Sequence, residues 1–192
     1  MIRSPKSTET HNKKIQRTAN SRRCFWGKKL NIDEHAKQLG QLLGNFQSLE
    51  FILRGFLQAL PTARPLGIPY GTDTYRFPIG TELPESELTS YDSLSKLIEK
   101  CNAEMSKRGL SGIDPGLVEI RDALAHGRVS SASFDDNLRL LKFDRPVDRK
   151  VRVVFNEEMT DAWFAAQKKR FYEAIQLVKN SIKPYAFNPM NG

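Results

Sequence analysis

Between Asp33 and Leu60 the apolar residues recur at three- and four-residue steps: Leu39, Leu42, Leu43, Phe46, Leu49, Ile52, Leu53, Phe56, Leu57 and Leu60. At 3.6 residues per turn this spacing lays one apolar stripe along a helix, so it predicts a long amphipathic helix. Asp33 is placed to cap its N-terminus, and Pro61 stops it because proline has no N–H and clashes with the preceding turn. Glu50 and Arg54 lie four apart on one face, a spacing that lets them pair. Glu50 also borders the apolar stripe, which makes Glu50 and Arg54 auxiliary candidates for a site.

The next thirty residues read differently. Residues 61–90 carry Pro61, Pro65, Pro69, Pro78 and Pro84 together with Gly67, Gly71 and Gly80, a density of breakers that no helix survives. A loop this long inside a compact domain is expected to be a lid or a mobile insert. Thr89 and Asp92 have the spacing of a capping box. Leu94, Leu97, Ile98, Cys101 and Met105 mark a second helix, closed near Gly109. Asp114-Pro115 predicts the start of a third helix, a cap followed by proline, which runs to His126 with Gly127 as its stop. Residues 137–143 and 149–155 are apolar and β-branched around Asp144-Arg145-Pro146-Val147-Asp148 and predict one β-hairpin with a longer loop over 137–155. A fourth helix follows Thr160, with Trp163, Phe164, Phe171, Ile175, Val178 and Ile182 as its stripe and Pro184 as its end. Four helices with one inserted hairpin predict an all-α fold, an up-and-down bundle over residues 30–188.

Charge is distributed unevenly. Residues 1–29 carry nine basic residues against the single Glu9, which accounts for the whole net charge of +8; the remainder is balanced. This segment lacks apolar periodicity and reads as a disordered basic tail. Lys13, Lys14, Arg22 and Arg23 are its candidate phosphate-binding residues, acting through counterion release; the alternative is a solvated tail with no ligand. No apolar run is long enough for a membrane span, and no apolar stretch follows the basic start as a secretory signal would require. Cys24 and Cys101 stand alone, without the spacing of a zinc site, and fit a reduced cytoplasmic protein. No cofactor or metal is expected.

Histidine is the side chain that moves protons near neutral pH, and the chain has three: His11, His35 and His126. His11 falls in the tail. His35 falls in a first helical turn, where a cation is disfavoured, and His126 in a last turn, where the macrodipole favours one. On a helical wheel Leu117, Ile120 and Leu124 form the core seam, with Arg121 at its edge and His126 nearly opposite. Asp122 and His126 are four apart and spaced to hydrogen-bond. One strip of the helix therefore carries the guanidinium of Arg121, the carboxylate of Asp122 and the imidazole of His126, which suits contact with another surface better than burial in its own core. A helix-terminal ion-pair cluster without activity is the competing interpretation.

The stretch Ile120-Arg121-Asp122-Ala123-Leu124-Ala125-His126-Gly127-Arg128 resembles the signature helix of HEPN domains, in which Arg-x4–6-His carries a polar residue after the arginine. The resemblance implies a helical bundle over about residues 33–183 that pairs as a homodimer, with the motif lining a cleft between protomers. It also implies a metal-independent ribonuclease of the kind found in toxin–antitoxin and phage-defence systems, with RNA as substrate, Arg121, Asp122 and His126 as the catalytic set and Arg128 beside it for a flanking phosphate. An antitoxin or nucleotidyltransferase-type protein is the further partner it suggests. Other members are non-catalytic dimerisation or nucleic-acid-binding modules, and that alternative stays open. The residue after the family's arginine is often Asn or His; here Asp122 keeps the polarity but not the identity. A helix-turn-helix made from residues 91–108 and 114–126 fits less well, because Asp114, Glu119 and Asp122 would repel phosphate.

Overall fold

The computed structural model describes residues 32–68, 72–73, 76–131 and 137–182. Lys13, Lys14, Arg22 and Arg23, the whole basic segment and the proposed stop at Pro184 lie outside the described residues. Among the described residues four helices, α1 (Ile32–Gln58), α2 (Leu94–Ser106), α3 (Leu117–His126) and α4 (Asp161–Ile182), surround one core. Three strands, β1 (Arg128–Ser130), β2 (Arg139–Phe143) and β3 (Val153–Glu158), form an antiparallel sheet in the order β1-β2-β3. The fold is thus mixed α/β, and the expected all-α bundle with one hairpin is corrected by β1. That strand has only three residues, directly behind the helix stop, and no period-two run announces it.

Most helix boundaries have visible local causes. Ser93 caps α2 by accepting from Lys96 N–H at 3.4 Å, so the cap is one residue beyond the expected Thr89–Asp92 box. Thr89 instead closes a turn with Ser86. Gly109, at φ +67°, ends the connection behind α2, and Leu110 N–H reaches back to the Met105 carbonyl at 3.0 Å. Thr160 caps α4 through Trp163 N–H at 3.1 Å. Asp114-Pro115 does not begin α3. Asp114 Oδ1 accepts from Gly116 N–H at 2.8 Å, forming a short side-chain turn that delays the helix to Leu117. Asp33 lies within the first turn of α1, where its charge suits the helix N-terminus.

The core is built mainly where α1 meets α4 and α2. Leu42, Leu49, Leu53, Leu97, Met105, Phe164 and Phe171 are sealed from solvent, and Phe46 and Phe171 meet edge to face with centroids 4.3 Å apart. Asn102 pins the α2–α3 connection, donating to the Ile113 carbonyl at 2.9 Å and accepting from Ile113 N–H at 2.7 Å. The sheet enters this core through Leu140, with buried Met159 just past the end of β3, and is otherwise largely exposed. Gly127 makes that junction possible. A Cβ there would collide with the Ala123 carbonyl and lie 2.8 Å from Leu140 Cδ1, so the chain can leave α3 and enter β1 close to β2 only without a side chain.

Residues 61–90 are stitched to the body at their far end. Arg54 donates to the Ser90 carbonyl at 2.6 Å, Ser90 Oγ at 2.8 Å and the Asp92 carbonyl at 2.9 Å. Gln58 accepts from Glu87 N–H at 3.1 Å, and Lys100 pairs with Asp92 at 2.7 Å and Glu87 at 3.3 Å. These contacts attach the segment to α1 and α2.

Candidate functional site

Helix α3 presents its residues on three sides. Leu117, Ile120 and Ala123 are buried. Ala123 therefore takes the core position that the wheel assigned to Leu124, and Leu124 turns toward α1. There Arg121, Leu124 and Ala125 face Leu39, Leu43, Phe46, Gln47 and Glu50 across a groove of about 370 Å³, within the size range of small-ligand sites. Its walls are mostly apolar, and Leu43 is 57% exposed. No residue of 61–90 lines this groove, so nothing in the described part of that segment acts as its lid.

Charged groups form a chain along one rim. Glu50 Oε1 lies 4.0 Å from Arg121 Nε, Arg121 Nη1 donates to Asp122 Oδ1 at 3.3 Å, and Lys142 Nζ on β2 lies 3.7 Å from Asp122 Oδ2. The order is anion, cation, anion, cation. All four side chains are between 25% and 39% exposed. Contacts of 3.3–4.0 Å are longer than the 2.7–2.9 Å of a strong charge-assisted bond, so Arg121 is positioned without being saturated. A phosphate reaching the rim would find guanidinium N–H groups able to turn toward it.

Two expected pairings do not form. Arg54 is committed to Ser90 and Asp92 rather than to Glu50, so Arg54 is a structural strut and Glu50 is released to Arg121. Asp122 directs its oxygens to Arg121 and Lys142, and among the described residues no hydrogen bond joins it to His126. Spacing along one helix suggested both pairs. The actual partners come from elements 36 or more residues away in the first case and from β2 in the second. Glu50–Arg121 was legible only in that both residues border apolar stripes.

His126 is exposed at the C-terminal turn of α3 and does not line the groove. Five residues turn a helix by about 500°, so Arg121 and His126 leave α3 about 140° apart, with Cα atoms separated by about 9 Å. Arg128 follows as the first residue of β1, its guanidinium 5.4 Å from the centre of the Phe143 ring. His35, the other described histidine, is buried edge-on against Phe164 at 5.4 Å. Burial lowers its pKa and favours the neutral imidazole. Cys101 is sealed, its thiol 3.7 Å from the Leu53 carbonyl, and burial pushes its pKa up to about 12; it is no nucleophile. Among the described residues no three His, Cys, Asp or Glu side chains gather to hold a metal ion. Within the same residues no helix is long and apolar enough to cross a membrane. No family model matches the sequence, and neither the curated proteins nor the solved structures contain a match.

Proposed function

We propose that the chain is a HEPN-type, metal-independent endoribonuclease that cleaves RNA by attack of a 2′-OH, acting as a homodimer in a cytoplasmic toxin–antitoxin or phage-defence setting. The observation that carries this reading is the solvent access of both motif side chains: Arg121 on the groove rim and His126 exposed about one and a half turns later, at the end of α3. In the reaction His126 takes the proton from the 2′-OH. The oxygen attacks phosphorus, the bond from phosphorus to the 5′-oxygen breaks, and that oxygen takes a proton from water, so a 2′,3′-cyclic phosphate and a 5′-OH end result. Arg121 neutralises the charge that grows on the phosphoryl oxygens. Asp122 steadies Arg121 rather than His126.

The 140° between the two side chains makes a single protomer a poor site for one phosphodiester. Two copies meeting on the apolar groove, with Leu43 and neighbouring Phe51 exposed, can bring Arg121 of one protomer toward His126 of the other. Cleavage of RNA in EDTA tests the reading. His126→Ala and Arg121→Ala each lower the rate at least about a hundredfold, the usual worth of a proton-transferring group or a charge-stabilising donor. An equal mixture of the two variants regains about a quarter of the activity, because half the dimers are mixed and each mixed dimer holds one complete site. Equal cleavage by all three proteins removes the site. The alternative, a non-catalytic dimerisation and nucleic-acid-binding module, is favoured by the carboxylates already on Arg121; dimers without cleavage of any RNA would establish it.

A further inference from the structure

The connection between β2 and β3 carries features that the α3 site does not use. It was expected as a loose loop of residues 144–148, with strand resuming at 149. Instead Val147 and Lys150 exchange two backbone hydrogen bonds of 2.9 Å around a two-residue turn. Both turn residues, Asp148 (φ +50°) and Arg149 (φ +61°), are in the left-handed region. Asp-Gly or Asn-Gly is the usual sequence for such a turn, because an L side chain crowds the following carbonyl there. Asp tolerates the conformation; Arg149 stands where glycine would be unstrained.

The same tip holds four cations, Arg145, Arg149, Lys150 and Arg152, against two carboxylates, Asp144 and Asp148. All four are exposed, and among the described residues none is in an ion pair. Asp144 is turned to its own backbone, accepting from Arg145 N–H at 2.8 Å. A hollow of about 520 Å³ runs across the tip between Asp144 and Arg145 on one arm and Lys150 and Arg152 on the other, so three cations outnumber one carboxylate in its wall. Register fixes where it points. Arg128 pairs with Leu141 and Phe143 with Val153, so the tip projects from the end of the sheet that adjoins His126, roughly 13 Å beyond Phe143 at strand rise.

We propose that this hairpin tip is a docking element for the phosphate backbone of single-stranded RNA, leading the strand toward the His126 end of α3. Three of the four cations are arginines, whose planar forks suit phosphate oxygens. The exposed apolar residues of the arms, Val147, Val151 and Val153, include no Trp or Tyr of the kind that seats a protein in a lipid headgroup layer. Arg149, in the left-handed region at the turn, places one of these charges at the tip itself. The choice of RNA over DNA rests on the proposed cleavage chemistry; the docking itself does not need His126 to act.

Binding of a fluorescent 2′-O-methyl oligoribonucleotide, which cannot be cleaved, to the full chain across a range of salt concentrations tests the proposal. The variant with Arg145, Arg149, Lys150 and Arg152 all changed to Gln binds at least about tenfold more weakly, and its salt slope falls by about 3, at about 0.7 per phosphate contact. Arg149→Gly alone also weakens binding and lowers the slope by less than one, yet its thermal unfolding midpoint does not fall, since glycine relieves the turn. An unchanged slope and affinity in the quadruple variant overturns the proposal while leaving the cleavage reading intact. So does tighter hairpin-dependent binding of single-stranded DNA, polyglutamate or phosphatidylserine vesicles. Absent cleavage with the slope change intact fells the nuclease reading alone.

Discussion

Arg54 is the half-buried residue whose role the structure changes most, and its replacement gives a worked test. Its guanidinium makes three hydrogen bonds, at 2.6, 2.8 and 2.9 Å, to Ser90 and Asp92. They tie the middle of α1 to the segment that leads into α2. Hydrogen bonds from a charged donor are each worth about 1.5–3 kcal/mol. Two of the acceptors are backbone carbonyls that are only half-buried, so water recovers part of the loss when the donor is removed. Arg54→Met keeps the aliphatic stem and removes all three bonds, and a net loss of about 2–4 kcal/mol is expected. For a chain of this size that lowers the melting temperature by roughly 5–15 °C. Urea titration followed by circular dichroism measures it. Arg54→Lys recovers less than half, because one ammonium cannot serve two residues in the geometry of a planar fork. A loss below about 0.5 kcal/mol, or full rescue by lysine, would refute the strut assignment. Under the proposed function the Arg54→Met protein, below its melting transition, cleaves RNA at the wild-type rate; a selective loss of turnover in a fully folded variant would return Arg54 to the site.

Two further outcomes follow from buried groups. His35 has its pKa lowered by burial, so below its free value of about 6.5 the unfolded chain takes up a proton that the folded chain resists. Stability is unaffected above that pH and declines as pH falls through 6.5 toward the lowered folded value; His35→Phe flattens this part of the profile of urea midpoint against pH. Cys101, sealed and with its thiol pushed up to about 12, resists alkylation by iodoacetamide at pH 8 until the α1–α2 contact opens, which peptide mapping by mass spectrometry detects; reaction at the rate of a free thiol would contradict the packing.

What the sequence made legible depended on the range over which each signal acts. Helices α1, α2 and α4 were readable because a 3.6-residue apolar period over three or more turns is strongly redundant. The Thr160 cap and the Gly109 stop were readable because their hydrogen bonds close within a few residues. The start of α3 was misplaced because Asp114-Pro115 serves an Asx turn as well as it would serve a cap, and only the partner decides. Here Oδ1 takes the Gly116 N–H, while Arg170, 56 residues on, binds Oδ2 at 2.6 Å and holds the carboxyl below the usual range. Strand β1 was illegible since its pairing with β2 supplies the order that three residues cannot. The hairpin turn was missed because Asp-Arg lacks the glycine that normally marks it. In the site the residue types were visible but the pairings were not. Glu50 and Arg54 satisfy every local rule for an ion pair, and each is bonded elsewhere.

Under the proposed function the exchange of partners changes how the imidazole is oriented. Had Asp122 been bonded to His126, the carboxylate would orient the imidazole and each protomer would carry a nearly self-sufficient acid–base pair. With Asp122 held between Arg121 and Lys142, the imidazole is left to be oriented by whatever meets the end of α3. Under the proposed function two things meet it: a second protomer seated on the apolar groove, and a strand of RNA arriving along the basic hairpin. Both approach from outside the protomer, so on that reading an isolated protomer is inactive by geometry, and activity depends on assembly and substrate together.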